Sequence, residues 1–502
     1  MQTRRENDIL CIISFISCGI TFFKVDEMNI FPIRALVAFM IFSGLFSASY
    51  PIIVWEGKIV PEWPDQLQGG LAKRSESSDS NQADGLGFYP NPKGIIHGLT
   101  LIIDFSDQTA IFTEEQVRDW LNKPGFKMGS TNGSVRDYFY ECSNAQVDFQ
   151  NDVAGYYRAK KPKSYYESAS GYETAAELVK EVIDFWDATV DFSKYDNDSN
   201  GITDAISIVY AGSGQTWGKG LWPHAGNIGV KKDGVTLGRY NMCDMGSNLS
   251  LYVFCHETGH MIFGWPDLYW FGDYCLMGNR MSDVNPQAIN DFFRADQGWI
   301  PHETVSGSTN KSFKAWHNGS GYLYINPAKK TELFFWSVIK NTGRWSNLKG
   351  KGLLLSHFDY SIRSNSSGTR RCLYVVEADG NNAMAAEQWP NPGGSSKDFF
   401  YKNNNGEFSA SSNPPSLWGL KIYNISESAD TMSFDVGTGA VNISQSMKNH
   451  ILFEKEIHGN DAVFDFLGKK KKNSYDAKTA AGVYIKMQNG RFRAKESILL
   501  EK

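Results

Sequence analysis

The chain has 502 residues, 41% of them hydrophobic and 21% charged, with a net charge of −5. That length allows roughly two to four domains with proper cores, and the mild acidity leaves no basic footprint, which excludes nucleic acid as an expected partner. Aromatic residues at 14% and 47 glycines tilt the composition toward strand- and turn-rich architecture.

The first fifty residues stand apart. Residues 9–23 (ILCIISFISCGITFF) and 30–46 (IFPIRALVAFMIFSGLF) are apolar, and each is shorter than the ~20 residues that span a bilayer comfortably. Met28, then Arg34, an apolar run and Ser47-Ala48-Ser49 follow the order of a secretory signal. Residues 1–49 are therefore expected to be a signal peptide region with its true start at Met28; the competing reading is a retained membrane anchor or hairpin. Cys11 and Cys18 would leave with it. Cys142, Cys243, Cys255, Cys275 and Cys372 then remain, too sparse a set for a disulfide scaffold.

Residues 50–95 mix Pro, Gly, Ser and charge without periodicity and read as a linker or propeptide remnant. A strand is predicted at 98–105 (GLTLIIDF). Next comes a helix opened by a Thr113–Gln116 capping box, and another over SVRDYFYECS. The apolar stripe Ala175, Leu178, Val179, Val182, Ile183 and Trp186 predicts a helix within 173–190, and AISIVY at 205–210 a buried strand. This alternation gives an α/β or α+β catalytic-type domain over 96–304. Beyond residue 305, short runs such as GYLYINP, ELFFWSVI, GLLLSHFDY, RCLYVVEA and TMSFDV lie between Gly, Asn and Ser clusters, which predicts an antiparallel β-sandwich over 305–439. A β-rich unit follows over 440–502, where Lys469–472 reads as a solvated turn.

Chemistry concentrates in CHETGHMIFGWPDLY, residues 255–269. In His256-Glu257-Thr258-Gly259-His260 two histidines four apart share a helical face, so both can reach one zinc ion while Glu257 serves as general base. A hydrolytic zinc takes three protein ligands and a water, whose pKa it lowers toward neutrality. No glutamate lies between Glu257 and Glu303, so the third ligand is expected among aspartates: Asp267 first, Asp273 second. Tyr269 and Tyr274 lie close enough in sequence to cap the site or simply to pack. Cys255 is a weaker zinc–thiolate candidate, since a helical neighbour of a ligand points elsewhere. His224, beside tryptophan and proline, reads as a packed histidine.

These residues resemble the immune-inhibitor-A type of secreted metallopeptidase domain, whose pattern is H-E-x-G-H, glycine, then P-D-x-Y. GLTLIIDFSD, SVRDYFYECSNAQVDFQNDVAGYY, YDNDSNGITDAISIVYAG, LWPHAG and DYCLMG follow the family in order over roughly residues 95–300. The resemblance implies a metzincin-like α/β zinc-peptidase fold, protein or peptide substrates, and Met277 as a Met-turn beneath the metal. One departure stands out: metzincin-like spacing puts the third ligand six residues after the second histidine, whereas Asp267 follows His260 by seven.

A second metal is expected in DNDSNGITD. Asp196, Asp198, Asn200 and Asp204, with Gly201 at the sixth position, reproduce the first half of a calcium loop; Ser207 at position twelve excludes a complete EF-hand. The metal-free alternative is an Asx-rich turn. The tail, AVFDFLG through GVYIKMQNGRF to SILL, resembles the C-terminal sorting domain of proteins exported by type IX secretion. That implies a secreted or outer-surface location and cell-surface attachment through this domain.

The sequence thus predicts an α+β multidomain protein, a zinc endopeptidase with His256, His260, Asp267 and Glu257 at its centre. Two readings compete. One is a catalytically inert surface adhesin or polymer-binding protein on the same fold, motivated by 14 tryptophans and the sandwich-like half. The other is a zinc hydrolase acting on a bond other than the peptide.

Overall fold

The computed structural model describes residues 86–438 except 169–172, 216–219, 307–310, 317–318, 363–371 and 386–392, with the backbone of a few short strands before and after. The expected signal region and the side chains of the sorting-like tail lie outside the described residues. The chain divides into two compact units, Met1–Gly439 and Ala440–Lys502. No helix among the described residues is long and apolar enough to cross a membrane.

Strand β1 (Gly94–Asp104) sends Leu99, Leu101 and Ile103 into one buried cluster and Ile96 and Ile102 into another, so both faces are covered. Helix α1 (Glu114–Asn122) carries the Thr113–Gln116 capping box, and α2 (Val135–Cys142) a second box from Ser134 and Asp137. Strand β2 (Val147–Arg158) follows, then α3 (Glu173–Trp186), β3 (Ile206–Ala211), β4 (His224–Asn227) and β5 (Arg239–Met245). The five strands form one sheet in the order β2-β1-β3-β5-β4. All neighbours are parallel except β4, which runs antiparallel to β5 at the edge. A parallel sheet needs cover on both faces. Leu178, Val182 and Ile183 of α3 provide it on one side; α1, α2 and α4 (Leu251–Thr258) provide it on the other.

Helix α5 (Asp291–Asp296) leads into the second half. Its strands are β6 (His302–Thr304), β7 (Lys311–Trp316), β8 (Gly321–Ile325), β9 (Glu332–Ile339), β10 (Gly352–Asp359), β11 (Leu373–Val376), β12 (Leu420–Tyr423) and β13 (Thr431–Thr438). They build a five-stranded sheet, β6-β8-β9-β10-β11, and a three-stranded one, β7-β13-β12. Pairing is antiparallel except that β6 joins β8 in parallel. The chain passes through β7, in the other sheet, before β8, and such a crossover is what parallel pairing requires.

Alternation along β8–β10 decides how the layers join. Tyr322, Tyr324, Phe334, Trp336, Leu353 and Leu355 share a buried cluster with Phe313, Ile422, Phe434 and Val436 of the smaller sheet. Leu323, Leu333, Phe335, Leu354 and Phe358 face the opposite way and share a cluster with α4 and α5. The change of texture at residue 305 is therefore a change of sheet type within one compact unit. Several sheets combined with helices make the molecule α+β.

Candidate metal centre and its surroundings

Ser250 caps α4, its hydroxyl accepting from the Val253 N–H at 3.2 Å. The helix carries His256 and Glu257, then widens into one π turn over Gly259–Phe263, where the Gly264 N–H donates to the Gly259 carbonyl five residues back. A π turn accommodates one extra residue in a helix. The additional residue between His260 and Asp267 is thus absorbed inside the helix. Gly264 then reverses the chain at a φ of 68°, a left-handed conformation suited to glycine. Asp267 returns to the histidines, its Oδ1 lying 3.1 Å from His256 Nε2 and 3.2 Å from His260 Nε2.

The other ring nitrogens fix the protonation. His260 Nδ1 faces the Trp265 carbonyl at 2.6 Å, and His256 Nδ1 faces the Leu276 carbonyl at 3.1 Å. A carbonyl only accepts, so each Nδ1 carries a hydrogen and each ring is left with its Nε2 facing Asp267, free to serve a metal ion when unprotonated. Three lone-pair donors converging on one point call for positive charge between them. Burial pulls His260 down, but its hydrogen bond to Asp267 and the charges of Glu257 and Asp267 outweigh it and raise the ring to about 9. Asp267 is held well below the usual carboxylate range against burial, by the same two histidines. Tetrahedral zinc ligands at about 2.0–2.1 Å from the ion stand about 3.3 Å apart, close to the observed separations, and an N,N,O donor set is a hydrolytic-zinc set. These residues fit a zinc ion.

Glu257 is buried, and burial raises its carboxyl above the ordinary range while the flanking histidines' charges pull it down. It borders a cavity of about 210 Å³ together with Pro223, Tyr252, Val253, His256, Tyr269, Gly278, Asn279 and Arg280. Tyr269 hydrogen-bonds Asp267; burial, then the nearby carboxylates, keep its hydroxyl protonated. Met277 is fully buried, and its Sδ lies 2.7 Å from where a Cβ on Gly259 would stand, so glycine lets the helix settle on it.

Asp273 lies apart from this group. It accepts from Asn279 Nδ2 at 3.2 Å and packs against Gly393. Tyr274 donates to Asp398 at 2.6 Å. Cys255 sits in the core, where burial pushes its thiol well above the ordinary range, and the five described cysteines are all free. His224 is clasped between the Trp222 carbonyl at 2.7 Å and the Tyr240 hydroxyl at 2.8 Å. Sequence reasoning missed Tyr252, whose hydroxyl bonds the Gly278 carbonyl at 2.8 Å and lies 3.3 Å from His256 Nδ1. Its place four residues before His256, on the same helical face, was the available signal.

In the expected calcium loop, carboxylate oxygens of Asp196, Asp198 and Asp204 lie within 4.8 Å of one another. Asp196 accepts from the Asn200 and Gly201 N–H groups at 3.0 and 2.9 Å. The Asn200 side-chain oxygen accepts the Ile202 N–H at 2.8 Å, so it already serves the turn itself. Burial raises Asp204 to about 6. A third group, Glu377, Asp379 and Asp398, is equally close and has no sequence motif to announce it. No model of a known protein family matches the chain, and no curated protein matches it.

Proposed function

We propose that this protein is a secreted zinc endopeptidase with His256, His260 and Asp267 as metal ligands and Glu257 as general base. The observation that carries the reading is the convergence of two Nε2 atoms and one carboxylate oxygen, with both Nδ1 hydrogens held by carbonyls. Zinc, when bound, supplies Lewis acidity that acidifies a water and polarises a carbonyl. Glu257, with its carboxyl biased by burial toward holding a proton, takes that proton from the attacking water and passes it to the leaving amine. Tyr269 holds Asp267 in place and Tyr252 braces His256. The adjoining cavity receives a substrate side chain next to the reacting bond.

The mainly parallel sheet with an antiparallel edge strand beside the helix supports a metzincin-like assignment, and the shared core of the two later sheets supports a β-sandwich. Calcium at Asp196, Asp198 and Asp204, export, and surface attachment through residues 440–502 complete the proposal, the last two on the sequence resemblance alone. Removing zinc with a selective chelator should abolish hydrolysis of a protein substrate, and adding zinc back should restore it. Hydrolysis that continues after metal analysis finds no zinc would contradict the proposal.

A further inference from the structure

Asp296, at the end of α5, is fully buried and has no part in the chemistry above. Its Oδ1 accepts the Phe88 N–H at 2.8 Å and its Oδ2 accepts the Tyr89 N–H at 3.1 Å. Among the described residues its other side-chain partner is the Gln297 amide at 3.4 Å, so every partner is neutral. A buried carboxylate is ordinarily balanced by a cation. Lacking one, this group is pushed by burial up to about 7.

The segment it holds is tightly seated. Phe88 packs against Phe358 and Phe292 with ring centroids 4.9 and 6.1 Å apart, and Tyr89 packs edge-on against Phe293 at 5.4 Å. The residue just before is different. Gly87 is exposed, in the left-handed region at a φ of 76°, with open space where a Cβ would stand. Gly87 thus brings the carbonyl side of the Gly87–Phe88 peptide to the surface, between two residues that are held.

We propose that proteolytic maturation ends at Phe88 and that the new α-ammonium group is the counter-ion of Asp296. An endopeptidase hydrolyses the Gly87–Phe88 amide with one water, leaving a carboxylate on Gly87 and an ammonium on Phe88. The nitrogen already lies 2.8 Å from Asp296 Oδ1, so the ion pair forms without main-chain movement. An amide-to-carboxylate hydrogen bond becomes an ammonium–carboxylate ion pair, and the buried charge is balanced. The cut gives up the Leu86 N–H to the Asp296 carbonyl at 3.2 Å and loosens the Leu86 side chain from the core it packs against. Tightening this segment also bears on the metal loop: Tyr89 packs on Phe293, which stacks on Trp265, whose carbonyl holds His260.

The test uses the full chain, expressed and exported in cells that process it. N-terminal sequencing of the mature protein should read Phe88; a different mature start would overturn the proposal. An amine-acylating reagent should modify the Phe88 amine about tenfold more slowly, or slower still, in the folded protein than in urea. Asp296→Asn should remove much of that protection. Equal labelling of folded and unfolded wild type would also overturn the proposal, and that comparison decides even where the variant fails to fold. Neither readout depends on zinc or on peptidase activity.

Discussion

Asp267 ranked ahead of Asp273 in the sequence, and the two have different surroundings in the fold. One faces two imidazole lone pairs; the other accepts an amide from Asn279. Asp267→Ala should therefore weaken zinc binding by more than about 100-fold, beyond the usual cost of losing a mere supporting contact. Asp273→Asn should leave it unchanged. Competition with a chelating dye measures both, and equal losses would contradict the ligand assignment. The histidines and Glu257 were legible because their meaning lies in i, i+4 spacing on a helix. The carbonyls of Trp265 and Leu276 were not, since any residue supplies a carbonyl and only the path of the main chain decides which one points at a ring.

Glu377 offers a pH prediction at the same scale. It is buried and accepts the Ala383 and Met384 N–H groups at 2.8 Å each. Burial first, then the charges of Asp398 and Asp379, raise it from 4.5 to about 7. The folded protein thus holds this proton more tightly than the unfolded chain does. The associated stability is fully present below pH 4.5 and is lost as pH rises through about 7, on the order of 3 kcal/mol. Denaturation between about pH 5 and about pH 8 should show wild type losing stability relative to Glu377→Gln. Parallel curves would contradict it.

At the scale of elements, the informative feature is the π turn. The Thr113–Gln116 capping box, the α3 stripe and the alternating strands were legible because each is a local pattern with a fixed spacing, whereas the Ser134–Asp137 box emerged in the structure. The extra residue after His260 was visible as a count but not as a conformation. Only tertiary demand chooses between lengthening the loop and widening the helix. Here Phe263 stacks on Trp265 with centroids 4.5 Å apart, which anchors the widened turn in the core. Gly264 completes the reversal, and a Cβ there would stand 3.2 Å from Arg239 Nη1, which itself donates to the His260 carbonyl. Gly264→Ala should cost about 1–2 kcal/mol for the left-handed conformation and lower zinc affinity with it. Denaturation and zinc titration of the same preparation check both. Unchanged affinity would separate the turn from the site.

Across the whole molecule, the expected boundary at residue 305 is crossed by a continuous core. Phe292 of α5 lies 4.2 Å from Phe358 and 5.7 Å from Phe335, ring to ring, joining the helical layer to the five-stranded sheet. Phe292→Ala should cost about 3–5 kcal/mol, with both halves melting at the same lowered temperature. Two separated transitions in calorimetry would mean that the halves fold independently. Strands β8 to β11 and β13 of the second half were legible from period and turns, whereas β6, β7 and β12 were not. That one face of its larger sheet closes the core of the first half was not, because apolar alternation says which side is buried and not by what.

The central claim is that the His-Glu-His helix cuts peptide bonds. The decisive measurement compares cleavage of a broad protein substrate by wild type and Glu257→Ala, each shown by metal analysis to hold one zinc. Cleavage by wild type alone is the predicted result. Two folded, zinc-loaded proteins that both fail to cut would contradict it, and would turn attention to another bond or to a binding role for the β-sheet half.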